Sequence, residues 1–164
     1  MSGRTSVPSR PHELTSDAPA VDPDDLRRVE TQLGALLRRT RAFIAESAAT
    51  VHPELGGTGY AVLARLVTAG PTRASELVVQ FDTDKATISR QTAHLESLGL
   101  VSREPDPADR RAQIITVTAE GRRRVQAARR RNQQRLRRGL EEWEPDQVRQ
   151  LGRLLEKFNG LDFR

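Results

Sequence analysis

Asp84-Lys85-Ala86-Thr87-Ile88-Ser89-Arg90-Gln91-Thr92-Ala93-His94-Leu95-Glu96-Ser97-Leu98-Gly99 reads as a helix that starts at Asp84, runs to Leu98 and stops at Gly99. Gly99 is suited to the left-handed conformation that commonly ends a helix. At about 100° per residue, Ile88, Thr92 and Leu95 share one side with Leu98 nearby. Ala86, Ser89, Arg90, Ala93 and Ser97 share the other, flanked by Lys85 and Thr87. The first side is a core face. The second is small, hydroxylated and singly basic, which suits solvent as well as a DNA groove.

The residues before this helix give its context. Thr72 is expected to cap a short helix from Arg73 to about Gln80 that presents Leu77 and Val78, and Phe81-Asp82-Thr83 breaks it. Two short helices separated by a turn of about three residues form a helix-turn-helix. After Gly99, residues 100–103 and 113–117 are β-prone. Between them, Glu104-Pro105-Asp106-Pro107-Ala108-Asp109-Arg110-Arg111 is expected to be an exposed loop, so the pair makes a β-hairpin wing.

Helices surround this unit. Asp22-Pro23-Asp24-Asp25 starts a long helix whose Leu26, Val29, Leu33, Leu36, Leu37, Phe43 and Ile44 recur at three- and four-residue steps, up to His52-Pro53. Another is expected over residues 59–68, stopped by Gly70-Pro71. Thr118 is expected to cap a helix reaching about Glu142. Trp143-Glu144-Pro145 interrupts, and a last helix to about Asn159 carries the apolar stripe Val148, Leu151, Leu154, Leu155 and Phe158. Residues 1–21, rich in Ser, Pro, Thr and Ala without apolar periodicity, are expected to be a disordered tail. The fold class is therefore mainly α with a small β-hairpin wing. Residues 22–164 are expected to form one domain, with a winged helix-turn-helix over 57–118 and dimerisation helices over 22–52 and 119–164.

Composition narrows the function. Of the 164 residues 36% are hydrophobic and 30% charged, so the core is modest and the long amphipathic stripes call for a partner chain, which points to a homodimer. The balance of 27 Lys and Arg against 22 Asp and Glu gives +5, a surplus that suits a polyanion. The absence of cysteine excludes disulfides, thiolate metal sites and thiol redox sensing. His12, His52 and His94 are not clustered, and no metal site, phosphate loop, nucleophile elbow or paired-acid motif occurs. The expectation is no enzyme, no cofactor and no metal. With no membrane-spanning run and no secretory leader, a cytoplasmic protein is expected.

The candidate DNA-reading residues are Lys85, Ala86, Thr87, Ser89 and Arg90 on the helix, and Asp109, Arg110 and Arg111 on the wing. Small residues permit close approach, serine hydroxyls reach phosphates or base edges, and an arginine can hold guanine through two bonds. A basic side chain on a protruding hairpin, steadied by an acidic neighbour, can enter a minor groove. A solvated turn explains the wing charges equally well, but not their place directly after a helix-turn-helix. Arginines at 122–124, 129–131, 135, 137 and 138 encircle the fifth helix, so most are expected to be solvated or paired with acids. Arg122 and Arg123, nearest the wing, are the better candidates for phosphates.

Asp84-Lys85-Ala86-Thr87-Ile88-Ser89-Arg90, Leu95-Glu96-Ser97-Leu98-Gly99-Leu100-Val101, Asp106-Pro107-Ala108-Asp109-Arg110-Arg111-Ala112 and Val117-Thr118-Ala119-Glu120-Gly121 together resemble the multiple antibiotic resistance regulator (MarR) family of winged-helix repressors. The resemblance implies a recognition helix at 84–98, a minor-groove arginine at Arg111 oriented by Asp109, and a dimer intertwined through the first and last two helices. It also implies double-stranded, pseudo-palindromic operator DNA as partner, and a small-molecule effector held by helices one, two and five, near Tyr60. Phe81-Asp82 departs from the Leu-Gly that many relatives carry in the turn, and the Gly-rich 55–59 segment precedes the second helix. The competing class is a winged-helix protein-interaction module that has lost DNA binding; it would lack the outward Ser-Arg pair and the basic wing tip that this chain keeps.

Overall fold

Asp22 opens the first helix as the sequence requires, its carboxylate accepting the Asp24 N–H at 2.7 Å. In the computed structural model, which describes residues 21–162, this helix is α1 (Pro23–Val51). The expected tail lies outside the described residues except for Val21, which is exposed. Residues up to Leu37 and residues from Arg38 onward form two compact units. In the first, the described part is the N-terminal portion of α1, with Leu26, Val29, Leu36 and Leu37 exposed and ion pairs Arg27–Asp24 and Arg28–Asp25 along its polar side.

The second unit holds the core. α2 (Gly57–Ala69) begins two residues before the expected Gly59, because Gly56 takes the extended cap conformation and its carbonyl accepts from Tyr60 N at 3.0 Å. α3 (Ala74–Gln80) and α4 (Lys85–Ser97) make the helix-turn-helix. The turn closes with Thr83 N donating to Val78 O across Asp82, which adopts φ 45°. An aspartate tolerates this left-handed position better than most residues, which accommodates the Phe81-Asp82 departure. At the far end of α4, Leu100 N donates to Leu95 O and Gly99 N to Glu96 O, both at 2.9 Å, with Gly99 at φ 70°. This is the Schellman stop expected of Gly99.

Three further boundaries differ from expectation. Thr72 does not cap α3: with Arg73 it forms a short strand, β1 (Thr72–Arg73), its hydroxyl donates to Gly70 O, and Arg73 occupies the cap without a side-chain bond. The wing strands are β2 (Val101–Pro105) and β3 (Gln113–Val117), so the first is longer than expected and the turn shorter. The three strands form an antiparallel sheet in the order β1-β3-β2, with Thr72 opposite Ile115 and Val101 opposite Val117. α5 (Ala119–Gly139) ends three residues before Glu142, at a glycine, and α6 (Pro145–Asn159) follows.

Leu63, Leu66, Leu77, Ile88, Leu95, Leu100, Ile115 and Val125 are fully buried between α2, α3, α4, the sheet and the start of α5. Each such side chain contributes about 1.5–3 kcal/mol of burial. The predicted inner face of α4, Ile88, Thr92 and Leu95, is the buried one. Thr118 caps α5 through the Gly121 N–H at 3.0 Å and also donates to Gly99 O at 2.8 Å, fastening the end of the wing to the end of α4. By contrast α6 has no buried residue, and Trp143, Val148, Leu151, Leu154 and Leu155 are exposed. Among the described residues no helix is long and apolar enough to cross a membrane.

Candidate nucleic-acid interface

The N-terminus of α4 is organised by Asp84. Its carboxylate accepts the Thr87 N–H at 2.8 Å and the Thr87 hydroxyl at 2.6 Å, and Thr87 Oγ1 in turn accepts from Arg90 Nη2 at 3.0 Å. Those two bonds from Thr87, with the Arg90 charge nearby, hold the Asp84 carboxyl below its ordinary range. Arg90 is thus directed along the helix toward its N-terminal end, while its guanidinium stays exposed. Lys85, Ala86 and Ser89 are exposed beside it, Thr87 and Ala93 are half-buried, and Ser97 is exposed a turn further on. The outward side read from the sequence is therefore the outward side in the fold, save that Ala93 is partly covered.

Asp109, Arg110 and Arg111 are all exposed on the wing turn. Asp109 does meet Arg111, but through the backbone: its carboxylate accepts the Arg111 N–H at 3.0 Å, and its carbonyl accepts the Ala112 N–H at 2.8 Å. Asp109 therefore shapes the turn from which Arg111 projects. Among the described residues, neither Arg110 nor Arg111 has a side-chain ion pair.

Helix and wing face one another across an open cleft of about 650 Å³. Lys85 and Ser89 line it from α4 and Asp109 and Arg111 from the wing, over a floor that includes Val78, Ile88, Thr92 and Ile115. The structure thus brings together residues from the two segments that the sequence singled out, 85–90 and 109–111. Two ion pairs that brace this arrangement escaped the sequence reading. Arg103 on β2 donates to Glu96 on α4 at 2.7 Å, and Arg73 on β1 donates to Asp106 at 2.5 Å. The expected exposure of the whole loop 104–111 is also corrected, since Asp106 is 3% exposed. Nothing in a Pro-rich, charged segment signals a buried carboxylate whose partner lies 33 residues away.

Five of the nine arginines of α5 bond to other helices, while Arg130, Arg137 and Arg138 are exposed. Arg131 and Arg135 pair with Glu46 on α1, and Asn132 donates to the buried Ser47 at 2.8 Å. Arg129 donates to Ala64 O and Thr68 Oγ1 near the end of α2, and Arg124 to Val51 O at the end of α1. The bond to Val51 O satisfies a helix-end carbonyl, and together these bonds bind α5 to its neighbours. Of the two phosphate candidates, Arg123 is held by both oxygens of Glu120, whereas Arg122 makes only a long 3.4 Å bond to Val67 O. Hydrogen bonds from Arg123 and Arg124 pull the Glu120 pKa down to about 2. His94 Nε2 lies 3.1 Å from Glu54 O, and no group of three or more potential metal ligands occurs among the described residues.

The chain's likenesses to known proteins fall on the same elements. A sequence model of the MarR family matches residues 58–112, from the start of α2 to the end of the wing turn. YxaD of Bacillus subtilis, an HTH-type transcriptional regulator, is 31% identical over 131 residues, which is 80% of this chain and 90% of that protein. NicR of Pseudomonas putida, an HTH-type transcriptional repressor, is 34% identical over 97 residues, 57% of this chain and 60% of that protein. A crystal structure of MarR superposes with a TM-score of 0.66 at 25% identity, covering 79% of this chain and 87% of that one.

Proposed function

This chain belongs to the MarR family of DNA-binding transcriptional regulators, and on that premise we propose that it works as a homodimer whose α4 and wing read a pseudo-palindromic operator. Arg90, with Lys85, Ala86, Thr87 and Ser89, enters the major groove; Arg111, with Arg110 and the turn built by Asp109, enters the adjacent minor groove. The observation that carries this reading is the single cleft lined by Lys85 and Ser89 on one side and Asp109 and Arg111 on the other. Two basic edges set apart by an open channel suit a duplex whose backbone runs between its two grooves.

Residues 22–164 act as one domain in this reading, with 57–118 contacting DNA and 22–52 and 119–164 forming the dimer. Its support is the apolar surface left on α6, where Leu154 is 56% exposed and Leu155 41%, together with the exposed leucines of α1. Contiguous exposed apolar stripes of this kind mark interaction surfaces, and a second copy of the chain supplies a matching one. The protein acts in the cytoplasm by occupying DNA rather than by catalysis. It represses its own or adjacent genes and is released by a small molecule held near α1, α2 and α5; that NicR is a repressor favours this sign of regulation. A mobility-shift titration with DNA from upstream of its own gene tests the core of the proposal. The expected result is a salt-sensitive complex much tighter than with unrelated DNA, and a footprint of two half-sites with centres about 10 base pairs apart. Equal affinity for both DNAs would refute it.

A further inference from the structure

Asp106 is the only charged residue among the described ones that is buried. Its position is informative because the wing has little else to hold its turn. The strand ladder of β2 and β3 ends at the Pro105–Gln113 pair, and residues 106–112 lie beyond it. Within that turn the bonds are local: Asp106 N donates to Ala112 O at 3.0 Å, Ala108 N to the Asp106 carboxylate at 2.7 Å, and Arg111 N to Asp109 at 3.0 Å. Among the described residues, the one hydrogen bond that leaves the turn runs from Arg73 Nε to Asp106 Oδ2, at 2.5 Å. Arg73 is itself fixed, since it pairs with Ile114 in β1 and occupies the cap position of α3.

We propose that Asp106 and Arg73 are positioning residues that pin the wing turn to the helix-turn-helix, so that Arg111 is held at a set distance from α4 without either residue touching DNA. The inference rests on the DNA-reading role assigned above to Arg111. A chain of bonds runs from the body to the tip: Arg73 to the Asp106 carboxylate, that carboxylate to the Ala108 amide, the Asp106 amide to Ala112 O, the Ala112 amide to Asp109 O, and the Asp109 carboxylate to the Arg111 amide. A turn loosened at its base must be ordered again when it enters a groove only about 6 Å wide, and binding bears that entropy. The Ala108 amide and Arg73 also hold the Asp106 carboxyl below its usual range, so it is charged throughout the neutral region and the pin is a constant of the fold there.

The test uses the full chain with Asp106→Asn, Arg73→Gln and Arg111→Ala, singly and with each of the first two combined with the third. Arg73 is about half exposed and the Ala108 amide still meets the Asp106 carboxylate without it, so Arg73→Gln is the milder substitution should Asp106→Asn fail to fold. The expected result is a roughly tenfold weaker operator complex for Asp106→Asn and for Arg73→Gln, with neither adding to the loss in the Arg111→Ala background. Discrimination at the positions read by α4 stays unchanged. Equal losses with and without Arg111, or no loss where Arg111→Ala itself weakens binding, would overturn the pin. If Arg111→Ala binds as the wild type does, the wing's DNA role fails instead, and hydrogen exchange of the free protein decides the inference. Faster exchange confined to the Ala108 and Ala112 amides in Asp106→Asn or Arg73→Gln supports it, and unchanged exchange overturns it.

Discussion

Replacing Gly121 by alanine adds one methyl group at the joint between the wing and α5, and the structure fixes where that methyl goes. A Cβ built there lies 2.2 Å from the carbonyl oxygen of Leu100 and 3.1 Å from Val117 Cγ1. Ordinary carbon–oxygen contacts are about 3.3–3.6 Å, so α5 and the Leu100 backbone must part by roughly 1 Å. Neither side gives easily. Leu100 is buried and its amide is committed to Leu95 O in the stop of α4, while its carbonyl accepts the Thr118 N–H at 3.1 Å. Gly121 is bonded through its own amide to the Thr118 hydroxyl. Overpacking of this kind costs about 1–3 kcal/mol and a lost buried hydrogen bond about 1 kcal/mol, against a gain in helix propensity of at most about 1 kcal/mol. A net destabilisation of about 1–3 kcal/mol is expected, read from urea unfolding at fixed protein concentration. Gly139→Ala is the matched control, because nothing lies within 4 Å of its Cβ, and it should be neutral or stabilising by up to about 1 kcal/mol. A Gly121→Ala protein as stable as the wild type would refute the packing described for this joint.

Two further outcomes follow from the surface and the charges. Leu151→Glu combined with Leu155→Glu should give monomers or insoluble protein by sedimentation or light scattering, because charge replaces an apolar stripe that α6 leaves exposed; a soluble, stable dimer would contradict the dimer proposal. The Glu120 pKa is depressed from 4.5 to about 2, so its stabilising pairs are complete above the unfolded value and fade as pH falls toward 2. The melting temperature should therefore be insensitive to this group above about pH 5 and should fall less steeply in acid for Glu120→Gln than for the wild type; parallel acid limbs would show that these pairs contribute nothing.

The parts of the fold that were legible in the sequence are those determined locally. Asp84, Gly99 and Thr118 mark helix ends through bonds to residues only a few positions away, and the inner face of α4 follows from helical spacing alone. β1 was not legible, because two residues carry no periodicity and Thr72–Arg73 is a strand only by pairing with Ile114 and Ile115 some forty positions on. The same holds for Asp106. A proline-flanked aspartate reads as solvated until Arg73 is brought beside it by the sheet. The α5 arginines illustrate a partial reading: their pairing with acids was expected, but that Arg131 and Arg135 share Glu46, that Arg124 reaches Val51 O at the end of α1 and that Arg129 reaches Ala64 O on α2 depends on tertiary contact. On α4 and the wing turn, which residues face outward was legible from helical spacing and turn composition, while the bracing by Arg103 and Arg73 was not.

If α4 and the wing read DNA by different physics, Arg90→Ala and Arg111→Ala must differ on a wild-type-selected operator measured at two salt concentrations. Arg90→Ala gives up its tether to Thr87 as well as the proposed base contact, so it should cost roughly 1–3 kcal/mol on the preferred site and flatten discrimination at one position of each half-site. Arg111→Ala should weaken binding most where the flanks are A·T-rich, with a shallower salt dependence, and should leave that discrimination intact. Wild-type affinity and specificity in both variants would contradict DNA reading by α4 and the wing.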